Sequence, residues 1–92
     1  MSDAAEGATN TAQAPRATAV LTYLATRLVD DPARVEIDAA PSRGGVKLSL
    51  RVGADDMGKV IGRRGRIAQS IRSVVRAAGA ADGVDVSVDI VD

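Results

Sequence analysis

The 92-residue sequence has no cysteine, histidine, tryptophan or phenylalanine, and its one aromatic side chain is Tyr23. Without thiols or imidazoles there is no cysteine nucleophile, histidine base, redox pair or zinc finger, which leaves carboxylates, hydroxyls and amines as reactive groups. That composition argues against an enzyme and offers no set of residues for a resident metal or cofactor. No run of about 18 apolar residues is present to cross a membrane, and the opening MSDAAEGATN lacks the basic and apolar segments of a signal peptide. A soluble intracellular protein with no membrane partner is therefore expected. A chain of this length has room for one core. The scarcity of aromatics also excludes a sheet that stacks unpaired bases on aromatic rings.

What the sequence does have is polarised charge. Twelve basic and twelve acidic side chains cancel overall. Residues 57–81, however, hold Lys59, Arg63, Arg64, Arg66, Arg72 and Arg76 with no acid among them, and residues 82–92 hold four aspartates. A domain of this kind can present a cationic face to an anion while staying neutral as a whole.

Residues 1–15 carry almost no bulky apolar group, too little to offset the entropy of ordering them, and are expected to form a disordered tail before a single domain over 16–92. Val20, Leu21, Leu24 and Leu28 recur at helical spacing and predict an amphipathic helix from about Arg16 to Val29, stopped near Asp31-Pro32. Val35–Ala39 and Val46–Val52 alternate apolar and polar about the turn Pro41-Ser42-Arg43-Gly44-Gly45, which predicts an antiparallel hairpin. A short helix over Met57–Ile61 follows, with Asp55 or Asp56 as its N-cap. A longer helix is expected from Arg66 to Ala78, with Gly79 and Gly83 bracketing its exit, and then a third strand over Val84–Ile90. The order α-β-β-α-α-β gives an α+β fold: a three-stranded mixed sheet with three helices on one face.

The chemistry concentrates at Gly62-Arg63-Arg64-Gly65, a tight turn between two helices with cations at both variable positions. Glycine at each end permits unusual backbone angles and close approach by another backbone. The long helix begins just after the turn, so its unpaired N–H groups and positive dipole end point to the same place. Arg63 and Arg64 offer guanidinium forks suited to phosphate oxygens, with Lys59 and Arg66 as flanking charge. Several cations in a row suit a chain of sugar-phosphates better than one small anion. Val60, Ile61 and Ile67, beside a strand edge, would line a shallow groove for unstacked bases.

Val60-Ile61-Gly62-Arg63-Arg64-Gly65 resembles the signature of the K homology (KH) domain, whose Gly-x-x-Gly loop clamps about four nucleotides. A helix and a strand precede the shared core, the type II arrangement. From Arg16 to Asp92, about five sixths of the chain, the sequence resembles the small stand-alone bacterial KH proteins of the KhpA (YlqC-like) family, including Asp56-Met57-Gly58-Lys59-Val60-Ile61-Gly62 and Arg66-Ile67-Ala68. The resemblance implies single-stranded RNA as ligand and Lys59, Ile61, Gly62, Arg63, Arg64, Gly65, Arg66 and Ile67 as the RNA-binding set. It further implies an RNA chaperone or post-transcriptional regulator that acts as a homodimer or with a larger Jag-type KH RNA-binding protein, with effects on cell length and cell-wall synthesis.

Three competing readings exist. Gly53-Ala54-Asp55-Asp56-Met57-Gly58-Lys59 matches the spacing of a nucleotide-binding P-loop, but Val60 stands where a magnesium-holding hydroxyl is required, and two aspartates would repel phosphate. A DNA-reading helix-turn-helix would offer only Gln69 and Ser70 besides arginine for base contacts. The third is a protein-protein adaptor that docks through the third helix, in which Ile71 or Val75 would matter more than Arg63. Arg72 and Arg76 read equally as a solvated helix face, and Tyr23 reads as a packing residue.

Overall fold

The computed structural model describes residues 14–91. The tail expected over 1–15 lies outside the described residues apart from Ala14 and Pro15, as does Asp92. Those two tail residues belong to the fold instead. Pro15 is the first residue of helix α1 (Pro15–Leu28), where its missing N–H costs nothing, and Ala14 is fully buried. The buried stripe of α1 runs Ala17–Leu21–Ala25 rather than through the leucines alone. Alanines at that contact let α1 lie close to the long helix, and Leu24 and Leu28 are left half-buried at its side.

No side chain of its own caps α1; the Arg16 N–H donates instead to Asp82 Oδ2 at 2.9 Å, from 66 residues further on. The helix ends at Leu28, and a single 3-10 turn, Pro32–Arg34, leads into the sheet. Strand β1 (Glu36–Ser42) pairs antiparallel with β2 (Gly45–Arg51) in the register Ala39↔Leu48, and β2 pairs parallel with β3 (Asp85–Val91) in the register Leu48↔Val88. The mixed sheet therefore has order β1-β2-β3, with β2 central. Strand β1 runs three residues beyond the expected Ala39 and includes Pro41, which an edge strand tolerates because one side of its ladder is unpaired. Val46, Leu48, Leu50, Val86 and Val88 turn inward, whereas Lys47, Arg51, Ser87 and Asp89 face solvent. The period-two pattern thus sets the buried face.

Between β2 and β3 come α2 (Met57–Ile61) and α3 (Arg66–Ala81). Together with α1 they cover the apolar face of the sheet, and Leu21, Leu48, Leu50, Val60, Val75 and Val86 are its largest fully buried side chains. The fold is the α+β, α-β-β-α-α-β arrangement that the residue pattern predicted. Helix α3 nevertheless passes through Gly79 and ends three residues later than expected. Its terminator is Gly83, at φ +74°, with Gly83 N–H donating to Ala80 O (3.0 Å) and Val84 N–H to Gly79 O (2.9 Å), a Schellman closure.

Gly79 is inside the helix for a packing reason: a Cβ there would lie 2.4 Å from Val86 Cγ2 and 3.1 Å from the Val84 carbonyl oxygen. Replacing a helical glycine by alanine ordinarily gains about 0.5–1 kcal/mol, but forcing a methyl into filled space costs about 1–3 kcal/mol. The second effect is the larger. Gly79→Ala is expected to lower stability by about 1 kcal/mol or more in a urea melt, where an exposed helical glycine would show a gain.

Candidate nucleic-acid interface

The turn between α2 and α3 is built from left-handed backbone. Gly62 has φ 75° and ψ 174°, Arg64 φ 59° and ψ 25°, and Gly65 φ 71° and ψ 17°. Arg64 is the one non-glycine residue at positive φ among those described, a conformation that costs a residue with a Cβ about 1 kcal/mol or more. Gly62 is required twice over, since its angles are disfavoured for other residues and a Cβ there would stand 2.5 Å from Ile67 Cγ1. The Gly65 N–H closes the turn on Gly62 O at 3.2 Å, and the Gly62 N–H returns to Gly58 O at 2.8 Å. A bend with backbone of this handedness is of the kind whose N–H groups can form a concavity for an anion.

The side chains reinforce this. Arg63, Arg64 and Arg66 are all exposed, and none has an ion-pair partner among the described residues. Ile61 before the turn and Ile67 after it are half-buried. Residues 18–90 match the family described as KhpA/KhpB, KH domain. The chain belongs to this KH family.

Curated relatives agree across most of their length. The RNA-binding protein KhpA of Streptomyces coelicolor is 46% identical over 72 residues, 78% of this chain and 87% of the relative. That of Caldanaerobacter subterraneus is 43% identical over 68 residues, 74% of this chain and 91% of the relative. That of Treponema pallidum is 38% identical over 73 residues, 79% and 91% respectively. These relatives are named for binding and not for a reaction, and a KH domain is a binding module rather than an enzyme. Among solved structures, Era from Aquifex aeolicus bound to GDP.AlF4- superposes with TM-score 0.59 at 17% identity, over 82% of this chain and 30% of Era. At that identity the likeness is one of fold.

The KH frame brings Gly62–Arg66 together as one exposed corner but draws other expected residues elsewhere. Lys59 Nζ lies 3.3 Å from Asp30 Oδ2 and 3.4 Å from Asp56 Oδ1, inside an ion-pair group of the protein's own. Ile67 packs beneath Gly62 and, with Leu24, Leu28, Ser70 and Val74, lines a groove of about 280 Å³ between α1 and α3. Arg72 is half-buried and donates from Nε to Val88 O at 3.2 Å, so it covers the edge of β3. Tyr23 is exposed, not packed into the core, and lies under the Arg27 guanidinium at 4.9 Å.

The residue that sequence reasoning placed wrongly is Asp56. It stands at the N-terminus of α2, yet its side chain makes no capping bond there. It is buried, 3% exposed, and accepts from the Asp30 N–H at 3.2 Å and the Asp31 N–H at 3.1 Å. The carboxylate caps a neighbouring segment in place of its own helix. A buried aspartate beside the helix it fails to cap can be recognised only once α1 and α2 are packed. Backbone donation from Asp30, then from Asp31, and the nearby Lys59 ammonium hold its carboxyl below the ordinary value, against the opposing effect of burial. Lys59 is raised, chiefly by its hydrogen bond and charge contact with Asp30 and then by Asp56.

The sign follows from linkage. A carboxyl whose folded pKa is depressed stabilises in full above its unfolded pKa and loses that contribution as pH falls through the folded value. Asp56→Asn is therefore expected to lower the urea midpoint at pH 7, and its deficit relative to the parent should shrink as pH drops below about 4, the ordinary aspartate range. A deficit that stays constant across that range would show that the charge of Asp56 plays no part.

Proposed function

We propose that the protein binds single-stranded RNA by gripping the sugar-phosphate backbone at Gly62–Gly65. The observation that carries this reading is the coincidence, at one corner, of the positive-φ turn Gly62–Gly65 with three exposed arginines that have no acidic partner among the described residues. Arg63 and Arg64 neutralise phosphate with planar forks, and Arg66 adds charge at the start of α3. Gly62 and Gly65 let the RNA backbone approach, while Ile61 and Ile67 form the apolar border for unstacked bases. Lys59 belongs to the same set through its place in α2. The relatives' name, RNA-binding protein KhpA, points to the same ligand. Reversing both charges, Arg63→Asp with Arg64→Asp, is expected to weaken binding of a short unstructured RNA by more than about tenfold, since bonds to charged groups contribute about 1.5–3 kcal/mol each. Binding at parental strength would show that the corner is not the site. Three or four phosphate contacts should give the parent a log–log salt slope of roughly −2 to −3.

On the KhpA resemblance, the cellular role is that of a cytoplasmic RNA chaperone or post-transcriptional regulator linked to cell length and cell-wall synthesis. One KH clamp binds modestly, and pairing with a second copy or with a larger Jag-type KH protein raises affinity through effective concentration. A specific surface favours such pairing and sustains the adaptor reading: Val74 is 49% exposed beside the groove lined by Leu24, Leu28 and Ile67. Ile71 and Val75, the residues expected to matter for an adaptor, are instead buried and serve the core. Val74→Glu should abolish self-association in sedimentation while leaving the helical signal unchanged. Persistence of the dimer would place that surface elsewhere.

A further inference from the structure

Building on the RNA-clamp reading, we propose that Lys59 is a positioning residue of the clamp, not a phosphate contact: by bridging Asp30 and Asp56 it fixes the angle at which α2 delivers Gly62 to the turn. Helix α2 has five residues, far too few to be stable alone. One flank is anchored by the buried Val60. What ties it to the rest of the molecule at the loop after α1 is Asp56 at its start, through the Asp30 and Asp31 N–H groups, and Lys59 within it, at 3.3 Å from Asp30 and 3.4 Å from Asp56. Gly62 follows directly and donates back to Gly58 O, so the clamp inherits the orientation of α2.

The charge arrangement points the same way. Lys59 sits between two carboxylates, so an approaching phosphate meets a group that is net negative. Taking the ammonium for RNA would strip a charged partner from the buried Asp56, which is unfavourable. The upward shift of Lys59 reflects the same two contacts. Arg63, Arg64 and Arg66 meet no such competition. The basic segment is thereby divided between a cation that shapes the site and cations that hold the ligand.

The contact and positioning roles predict opposite behaviour for Asp30, whose side chain is 83% exposed and replaceable without disturbing the core. Binding of an oligouridine of about eight nucleotides, longer than the four-nucleotide clamp, is followed by fluorescence anisotropy across potassium chloride concentrations. Parent, Lys59→Met, Asp30→Ala, the double variant and Arg63→Asp/Arg64→Asp are compared, each checked for fold by circular dichroism. Both single variants are expected to bind several-fold more weakly with the parental salt slope, and the double variant no more weakly than Lys59→Met. A slope shallower by about 0.7 in Lys59→Met, the signature of one lost phosphate contact on a single strand, overturns the proposal. Tighter binding by Asp30→Ala, through release of the ammonium, overturns it too, as does parental affinity in either single variant. The charge-reversed arginine pair reports separately on the clamp: if it binds like the parent, the RNA site itself is misplaced and this inference falls with it.

Discussion

The buried carboxylate of Asp56 is the joint on which the functional end of the molecule turns. It satisfies two backbone donors in the loop leaving α1, draws in the Lys59 ammonium, and stands at the first turn of α2. A buried charge is tolerated only when it is fully partnered, and partnering it imposes geometry on every segment that contributes a donor. The segments here are the loop after α1 and the helix that presents Gly62. No apolar contact would fix their relative angle as narrowly, because dispersion is indifferent to direction while hydrogen bonds are not.

The same logic sorts the cations. Arg16 pairs with Asp82, Arg51 with Glu36, and Lys59 with Asp30 and Asp56; Arg72 is bound to a strand carbonyl and Arg27 lies over Tyr23. Arg63, Arg64 and Arg66 are held by none of these devices. A nearly neutral protein thus keeps a local positive field at this corner, because residues 57–81 carry six basic side chains and no acid. Arg64, held at positive φ, adds a small cost in stability at the place where the ligand is expected, a pattern common at functional sites.

Much of this was legible from residue order. Period-two alternation identified all three strands and helical spacing identified α1 and α3, because those patterns follow from burial on one side of a sheet, whereas the short α2 was placed by the aspartates that precede it. The Gly-x-x-Gly turn was legible because left-handed backbone demands glycine. What could not be read shares one cause: it depends on which segments meet. Gly79 reads as a helix end until Val86 is seen pressed against it. Lys59 reads as one more cation of a basic run until Asp30, 29 positions earlier, arrives beside it. Asp56 reads as an ordinary cap, and Tyr23 as core, for the same reason. Local propensity is written along the chain, whereas the choice of partner for a polar group is made in three dimensions.

Helix α1 is terminated at both ends by aspartates that come later in the chain: Asp82 accepts the Arg16 N–H, and Asp56 holds the residues just after Leu28. A lone helix of 14 residues is marginal in water. During synthesis, then, α1 emerges well before it is secured, since its anchor Asp82 is translated 66 residues after the group it binds. Docking of α1 therefore waits on synthesis of the segment that carries Asp82, which couples assembly of the domain to the progress of translation.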